Sequence, residues 1–264
     1  MPHTLWRGAV SFGLVTIPVR VYAATETKDI SFRQVHPADG GRIRYKRICE
    51  VCGKEIPYAE IGKGYLAEDG RMAVLTDEDF AGLPSAEGKT VDVVQFVDVD
   101  HIDPLYYDRS YVLEADQAAA KPYALLRQAL ADSGKAAVVR VALRSRQTLA
   151  LIRPLNDVLV LHTMLWPDEL RDLSFAAPPE AAVTDAEVAM ARMFIDQLSA
   201  EFDPAAFTDD YREELEKVVA AKLEGIEAPE AEAEPSRPAE VVDLVAALQA
   251  SVEAAKRRRE AEAS

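Results

Sequence analysis

The rhythm of apolar and polar positions changes along the chain, and the change divides it. From Ala9 to Tyr22 the residues are largely β-branched and aromatic, which predicts one long strand. Gly13 would mark a bulge or bend in it, and Pro18 a place that needs no ladder donor. Ile30 to Ile56 reads as a hairpin or extended arm around a Gly40-Gly41 turn, and Gly62 to Thr76 as a hairpin turning at Asp69-Gly70. Thr90 to Val99 alternates, with Val91, Val93, Val97 and Val99 sharing a face with Gln95. Tyr106 to Leu113 is a further strand. The period then lengthens: Leu126, Ala129, Leu130 and Ser133 line one side of a helix over 121–133, ended by Gly134. Ala137 to Leu143, Leu149 to Ile152 and Val158 to Leu165 return to strand character, the last entered by a turn over 154–157.

Past Pro178-Pro179 the pattern is helical. Thr184 to Glu187 is a capping box, and Val188, Ala191, Ile195, Leu198 and Phe202 form one apolar stripe. A second helix runs from about Asp209 to Leu223 and stops at Gly225. Residues 226–240 are rich in Glu, Ala and Pro, with little to bury, and read as a flexible linker. Beyond it Val241, Leu244, Val245, Leu248 and Val252 make a last amphipathic stripe, followed by Lys256-Arg257-Arg258-Arg259. The whole predicts an α+β protein: many short strands with one helix, as in a barrel or sandwich, followed by helices.

With 264 residues, 49% of them apolar, the chain can bury a large core. No stretch reaches 18 uncharged apolar residues and the first residues lack a signal-peptide pattern, so the expectation is a cytoplasmic protein with no membrane partner. The net charge of −15 argues against nucleic acid only if it is evenly spread, and it is not. Residues 1–64 carry 10 Lys and Arg against 6 Asp and Glu; residues 65–118 carry 3 against 13. Residues 119–166 carry 7 against 2, and residues 167–264 carry 10 against 24. Basic blocks set among acidic ones steer an anion to particular places.

The first basic block peaks at Arg42, Arg44, Lys46 and Arg47, where alternation along an extended ribbon would put Arg42, Arg44 and Lys46 on one face. The second contains Arg140, Arg144 and Arg146, which share sequence parity opposite Val139, Val141 and Leu143 and would line one face of a strand that stays extended. Such rows suit phosphate oxygens, and neither adjoins a recognition helix, so backbone contact without sequence readout is the chemistry they fit. Cys49-x-x-Cys52-Gly53 looks like half a zinc ribbon; a complete site needs two more ligands and the chain has no other cysteine, which leaves weak metal candidates or a reduced structural pair. Gly82 to Thr90 imitates a phosphate loop but has five residues between its glycines and leads into a strand. No motif argues for catalysis, and no cofactor is expected.

The order of motifs resembles bacterial Ku, the DNA-end-binding family of non-homologous end joining. The resemblance lies in residues 6–19, beginning Trp6-Arg7-Gly8-Ala9, in Phe32-Arg33-Gln34-Val35-His36, in 42–49, in Lys63-Gly64-Tyr65 and in 102–107. It continues in 123–127, Leu143-Arg144-Ser145-Arg146 and Val241-Val242-Asp243-Leu244. It implies a β-barrel core over 1–178 with an inserted bridge arm at about 30–64, then a helical dimerisation arm over 179–225. The linker over 226–240 and a C-terminal helix with its short basic tail over 241–264 would follow. Two copies would form a ring threaded by double-stranded DNA ends, without enzymatic activity. Arg33, Arg42, Arg44, Lys46, Arg47, Lys54, Lys63, Arg140, Arg144 and Arg146 would contact DNA. Val241, Leu244, Val245 and Leu248 would serve contacts with the multifunctional ATP-dependent end-joining DNA ligase (ligase D type). Many members of that family carry a long lysine-rich tail, whereas the last basic run here is Lys256 to Arg259. Two other readings of the residues are a zinc-dependent nucleic-acid enzyme built on Cys49 and Cys52, and a protein-only adaptor.

Overall fold

The computed structural model describes residues 3–81, 89–143, 146–226 and Arg257. These residues fall into two compact units, one drawn from 1–28 and 33–172 and the other from 29–32 and 173–264. In the first unit, Trp6–Phe12 (β1) and Val15–Ala23 (β2) are two antiparallel strands, where the sequence pattern predicted one. Gly13 takes φ +59°, a left-handed conformation that costs glycine little, and the two-residue Gly13-Leu14 turn pairs Phe12 with Val15. An arm follows that contains the hairpin Lys63–Leu66 (β3) and Met72–Leu75 (β4) and the short helix Asp77–Ala81 (α1). As expected, that hairpin turns at Asp69-Gly70, with Gly70 at φ +83°.

The chain then returns through Thr90–Asp98 (β5), Tyr107–Ala115 (β6), helix Ala120–Ser133 (α2), Lys135–Leu143 (β7), Arg146–Leu155 (β8) and Val158–Met164 (β9). Seven strands close into a barrel in the order β1-β2-β6-β9-β8-β7-β5, and the seam is a parallel pairing of β1 with β5 from Ala9–Thr90 to Ser11–Asp92. Pro18 stands one residue before the β2–β6 ladder begins at Val19, where a missing N–H removes no ladder bond. Val10, Ile17, Val21, Val91, Leu113, Val139, Ile152 and Leu161 fill the interior, each at most 1% exposed. Burying each such side chain contributes roughly 1.5–3 kcal/mol. Helix α2 adds Leu126 and Leu130 to this core and ends at Gly134, at φ +66°. The Tyr123 hydroxyl accepts the Leu159 N–H at 2.6 Å and donates to the Leu113 carbonyl at 2.8 Å, tying α2 to β9 and β6.

Two parts of the barrel depart from simple alternation. The β5–β7 register shifts between Val93 and Gln95, so Val91 and Val93 face the interior while Val97 and Val99 join an outer cluster with Ala136, Val138, Leu151 and Met164. The five positions expected to share a face therefore divide at a bulge, which adds one residue and flips parity. The second departure is the reversal between β7 and β8, where Leu143 pairs with Arg146.

The second unit contains Asp185–Leu198 (α3) and Asp210–Glu224 (α4). The predicted capping box is formed: the Glu187 N–H donates to the Thr184 hydroxyl, and the Glu187 carboxylate accepts from the Thr184 N–H at 2.7 Å. α4 is capped by Asp209 and ends at Gly225, at φ +70°. No helix among the described residues is long and apolar enough to cross a membrane. The expected linker over 226–240, apart from Ile226, and the last amphipathic stripe from Val241 to Val252 lie outside the described residues.

Candidate nucleic-acid interface

The arm from 33 to 56 is built from two small ladders. Val35 bridges Arg42 around a turn in which the Gly40 N–H donates to the His36 carbonyl, and Ile48 bridges Glu55 around a turn in which the Gly53 N–H donates to the Cys49 carbonyl. Arg42 to Arg47 connect the two ladders and are all exposed, as are Arg33, Lys54 and Lys63. The segment between the bridges is not a continuous strand, so strict alternation of Arg42, Arg44 and Lys46 gives way to a local mesh of contacts. Lys46 donates to Glu55 at 2.7 Å, Arg47 lies over the Tyr58 ring at 5.2 Å, and Lys63 lies over the Phe80 ring at 4.3 Å. Tyr45 donates to Gln34 across the first ladder. These contacts anchor the stems of some cations, and exposed pairs of this kind contribute little to stability.

On the barrel, Arg140 is the exposed position in the middle of β7, opposite Asp92 on one side and Leu149 on the other. The expected row of three arginines assumes one extended strand through all of them, and the chain does not run that way. Arg146 is the first residue of β8 and pairs with Leu143, so no single extended strand runs from Arg140 to Arg146. The chain reverses between them, so sequence parity no longer reports the face. Arg144 lies outside the described residues, as do Val241, Leu244, Val245 and Leu248. A spacing argument also passes over Arg153, because Pro154 follows it and its strand reads as apolar; it is half-buried on the outer face of β8.

Cys49 and Cys52 occupy one tight turn. Hydrogen bonds from the Cys52 and Val51 N–H groups and from the Cys52 thiol hold the Cys49 thiol below its usual range, against burial and the Glu50 charge. That is the polarity a metal-binding turn needs, but no group of three or more His, Cys, Asp or Glu poised for a metal is found among the described residues. His36, the nearest candidate in sequence, faces the Asp39 carboxylate at 3.1 Å.

The barrel has a known counterpart. A family sequence model described as the Ku70/Ku80 beta-barrel domain matches residues 11–190. The chain belongs to the Ku family. It is 48% identical over 260 residues to the non-homologous end joining protein Ku of Frankia casuarinae, covering 98% of this chain and 65% of that relative, so it spans about two thirds of that protein's length. It is 46% identical to the non-homologous end joining protein Ku 2 of Saccharopolyspora erythraea, covering 97% of this chain and 85% of the relative. Against the Ku protein of Mycobacterium tuberculosis the identity is 41%, over 96% of this chain and 95% of the relative. The matched barrel model ends inside α3, so the rest of the helical unit is covered by the whole-chain relatives alone.

Proposed function

We propose that this Ku-family chain binds double-stranded DNA ends without reading sequence, in non-homologous end joining, and acts as a homodimer that encircles the duplex. The observation that carries the reading is an exposed run of Arg42, Arg44, Lys46 and Arg47 on the arm of a Ku barrel, within a chain of net charge −15. Concentrated cations displace counterions from phosphates, and the acidic remainder disfavours indiscriminate coating of DNA.

A partner copy is supported by apolar surface that a lone chain leaves in water. On and after α3, Ile195, Leu198 and Phe202 are 62%, 59% and 77% exposed, and on the arm Ile48, Val51 and Tyr58 are 61%, 92% and 77% exposed. Side chains of this size, in rows and not singly, fit an interface. Recruitment of an ATP-dependent DNA ligase through Val241, Leu244, Val245 and Leu248 completes the reading and rests on the family resemblance and on the apolar spacing of those residues.

The deciding experiment compares binding of one linear duplex with the same sequence closed into a circle, at matched salt. Binding to the linear form alone, with complexes adding in steps as length grows, is the expected result. Equal binding to both forms would mean an open basic groove and would remove the encircling mechanism.

A further inference from the structure

Five Lys or Arg side chains among the described residues are half-buried: Arg20, Arg127, Lys135, Arg153 and Arg212. Four of them sit against carboxylates. Arg20 meets Asp116 at 2.7 Å and Lys135 meets Asp98 at 2.9 Å, while Arg127 and Arg212 stand 3.9 Å from Asp157 and Asp209. Arg153 is the exception, for among the described residues its polar partner is an imidazole: Nε donates to His162 Nε2 at 3.0 Å. A guanidinium drawn partly out of water without an opposite charge is unfavourable, so the position suits an anion supplied from outside.

The imidazole fixes how that anion would be met. Because Arg153 is a donor, Nε2 of His162 accepts, and the ring proton is on Nδ1, facing the Ser110 oxygen at 2.9 Å. The Tyr107 ring tilts against the imidazole at 5.3 Å. Burial first, and the charge of Arg153 second, lower the His162 pKa from the ordinary value of 6.5, and Arg153 is the charged group that acts on the ring. The guanidinium is therefore oriented by a neutral ring through Nε, which leaves its two terminal nitrogens for a ligand. That pair of nitrogens matches two oxygens of a phosphate.

We propose that Arg153, oriented by His162, contacts a phosphate of the DNA backbone on the outer face of β8. This rests on the DNA-binding reading and adds to it a contact in the second basic block. His162 orients Arg153 as a neutral ring, because a protonated Nε2 has no lone pair left to accept the Nε–H.

The test uses the full chain and a linear duplex, with affinity measured against salt. Arg153→Gln is expected to flatten the log–log salt dependence by about 0.9 for each protomer contact, roughly 8-fold in affinity at 0.1 M salt relative to 1 M. Arg153→Lys keeps the slope. His162→Gln, whose side-chain oxygen can still accept from Nε of Arg153, keeps the slope as well. An unchanged slope in Arg153→Gln overturns the proposal. If that variant melts early, the wild-type His162 resonance decides: a chemical shift moved by the duplex upholds the contact, and an unmoved one overturns it. If the wild type binds no duplex at all, the DNA-binding reading falls by itself, and titration of the same resonance with inorganic phosphate upholds or overturns the anion site.

Discussion

The barrel and the arm inserted into it use the same kinds of residue for opposite ends. In the barrel, Ile17, Ile152 and Leu161 are fully buried, and seven strands close on themselves so that no long edge is left unpaired. In the arm, Ile43, Ile48, Val51 and Tyr58 are all exposed, and outside the β3–β4 hairpin the ladders shrink to isolated bridges. The barrel is held by what it hides. The arm is held by short turns and presents what it has. Substitutions in the two regions should therefore be felt by different measurements, in stability for one and in association for the other.

The largest expected effect tests the barrel side. Ile17→Ala should cost about 2–5 kcal/mol in chemical unfolding, whereas Val51→Ala, at 92% exposure, should stay within about 0.5 kcal/mol. A similar loss in both would erase the contrast. Next comes Gly8→Ala: an added Cβ would stand 2.0 Å from the Trp6 ring and 2.2 Å from the Lys89 carbonyl. The strain should cost about 1–3 kcal/mol, read as a lower melting temperature, because the carbonyl belongs to the chain beside the β1–β5 seam and has little room to retreat.

If two copies pair through α3 as proposed, Ile195→Asp with Leu198→Asp should leave the melting of the barrel unchanged and shift sedimentation from dimer toward monomer. We expect a weakening of at least tenfold, about 1.4 kcal/mol. Arg42→Ala with Arg44→Ala should reduce the salt dependence of DNA binding by about 1.8 per protomer, at roughly constant stability. The smallest effect is a pH dependence of folding. His162 has a lowered pKa in the folded chain, so the unfolded chain binds its proton more readily. Stability should fall as pH drops from about 6.5 toward the folded-state pKa, and unfolding of His162→Gln should lack that component.

What was legible in the sequence was mostly local. Gly134 after α2, the Thr184–Glu187 box before α3 and the Asp69-Gly70 turn each act within four residues, and each element formed where its signal stood. Three features were missed because each changes the direction or the parity of the chain, which a reading of successive positions along one strand holds constant. The Gly13 turn converted one predicted strand into two, the bulge after Val93 sent Val97 and Val99 outward, and the reversal before Arg146 separated it from Arg140. In the candidate interface, the density of charge at Arg42 to Arg47 was visible directly. Arg153 carries no such signal, since its interest lies in having no carboxylate partner among the described residues and in the histidine nine residues away that takes its place.

The seam that closes the barrel also makes the arm a detachable part. The strands that flank the excursion, β2 and β5, both lie beside β1, one on each side. Counting two strand spacings across and about five residues along, Ala23 and Thr90 stand roughly 20 Å apart. A linker of about eight residues would bridge that gap, where the natural chain spends residues 24–89. The barrel can thus be inherited as a fixed chassis while the excursion is lengthened, trimmed or replaced, and a graft at Ala23 and Thr90 is the natural place to move one lineage's grip onto another lineage's core.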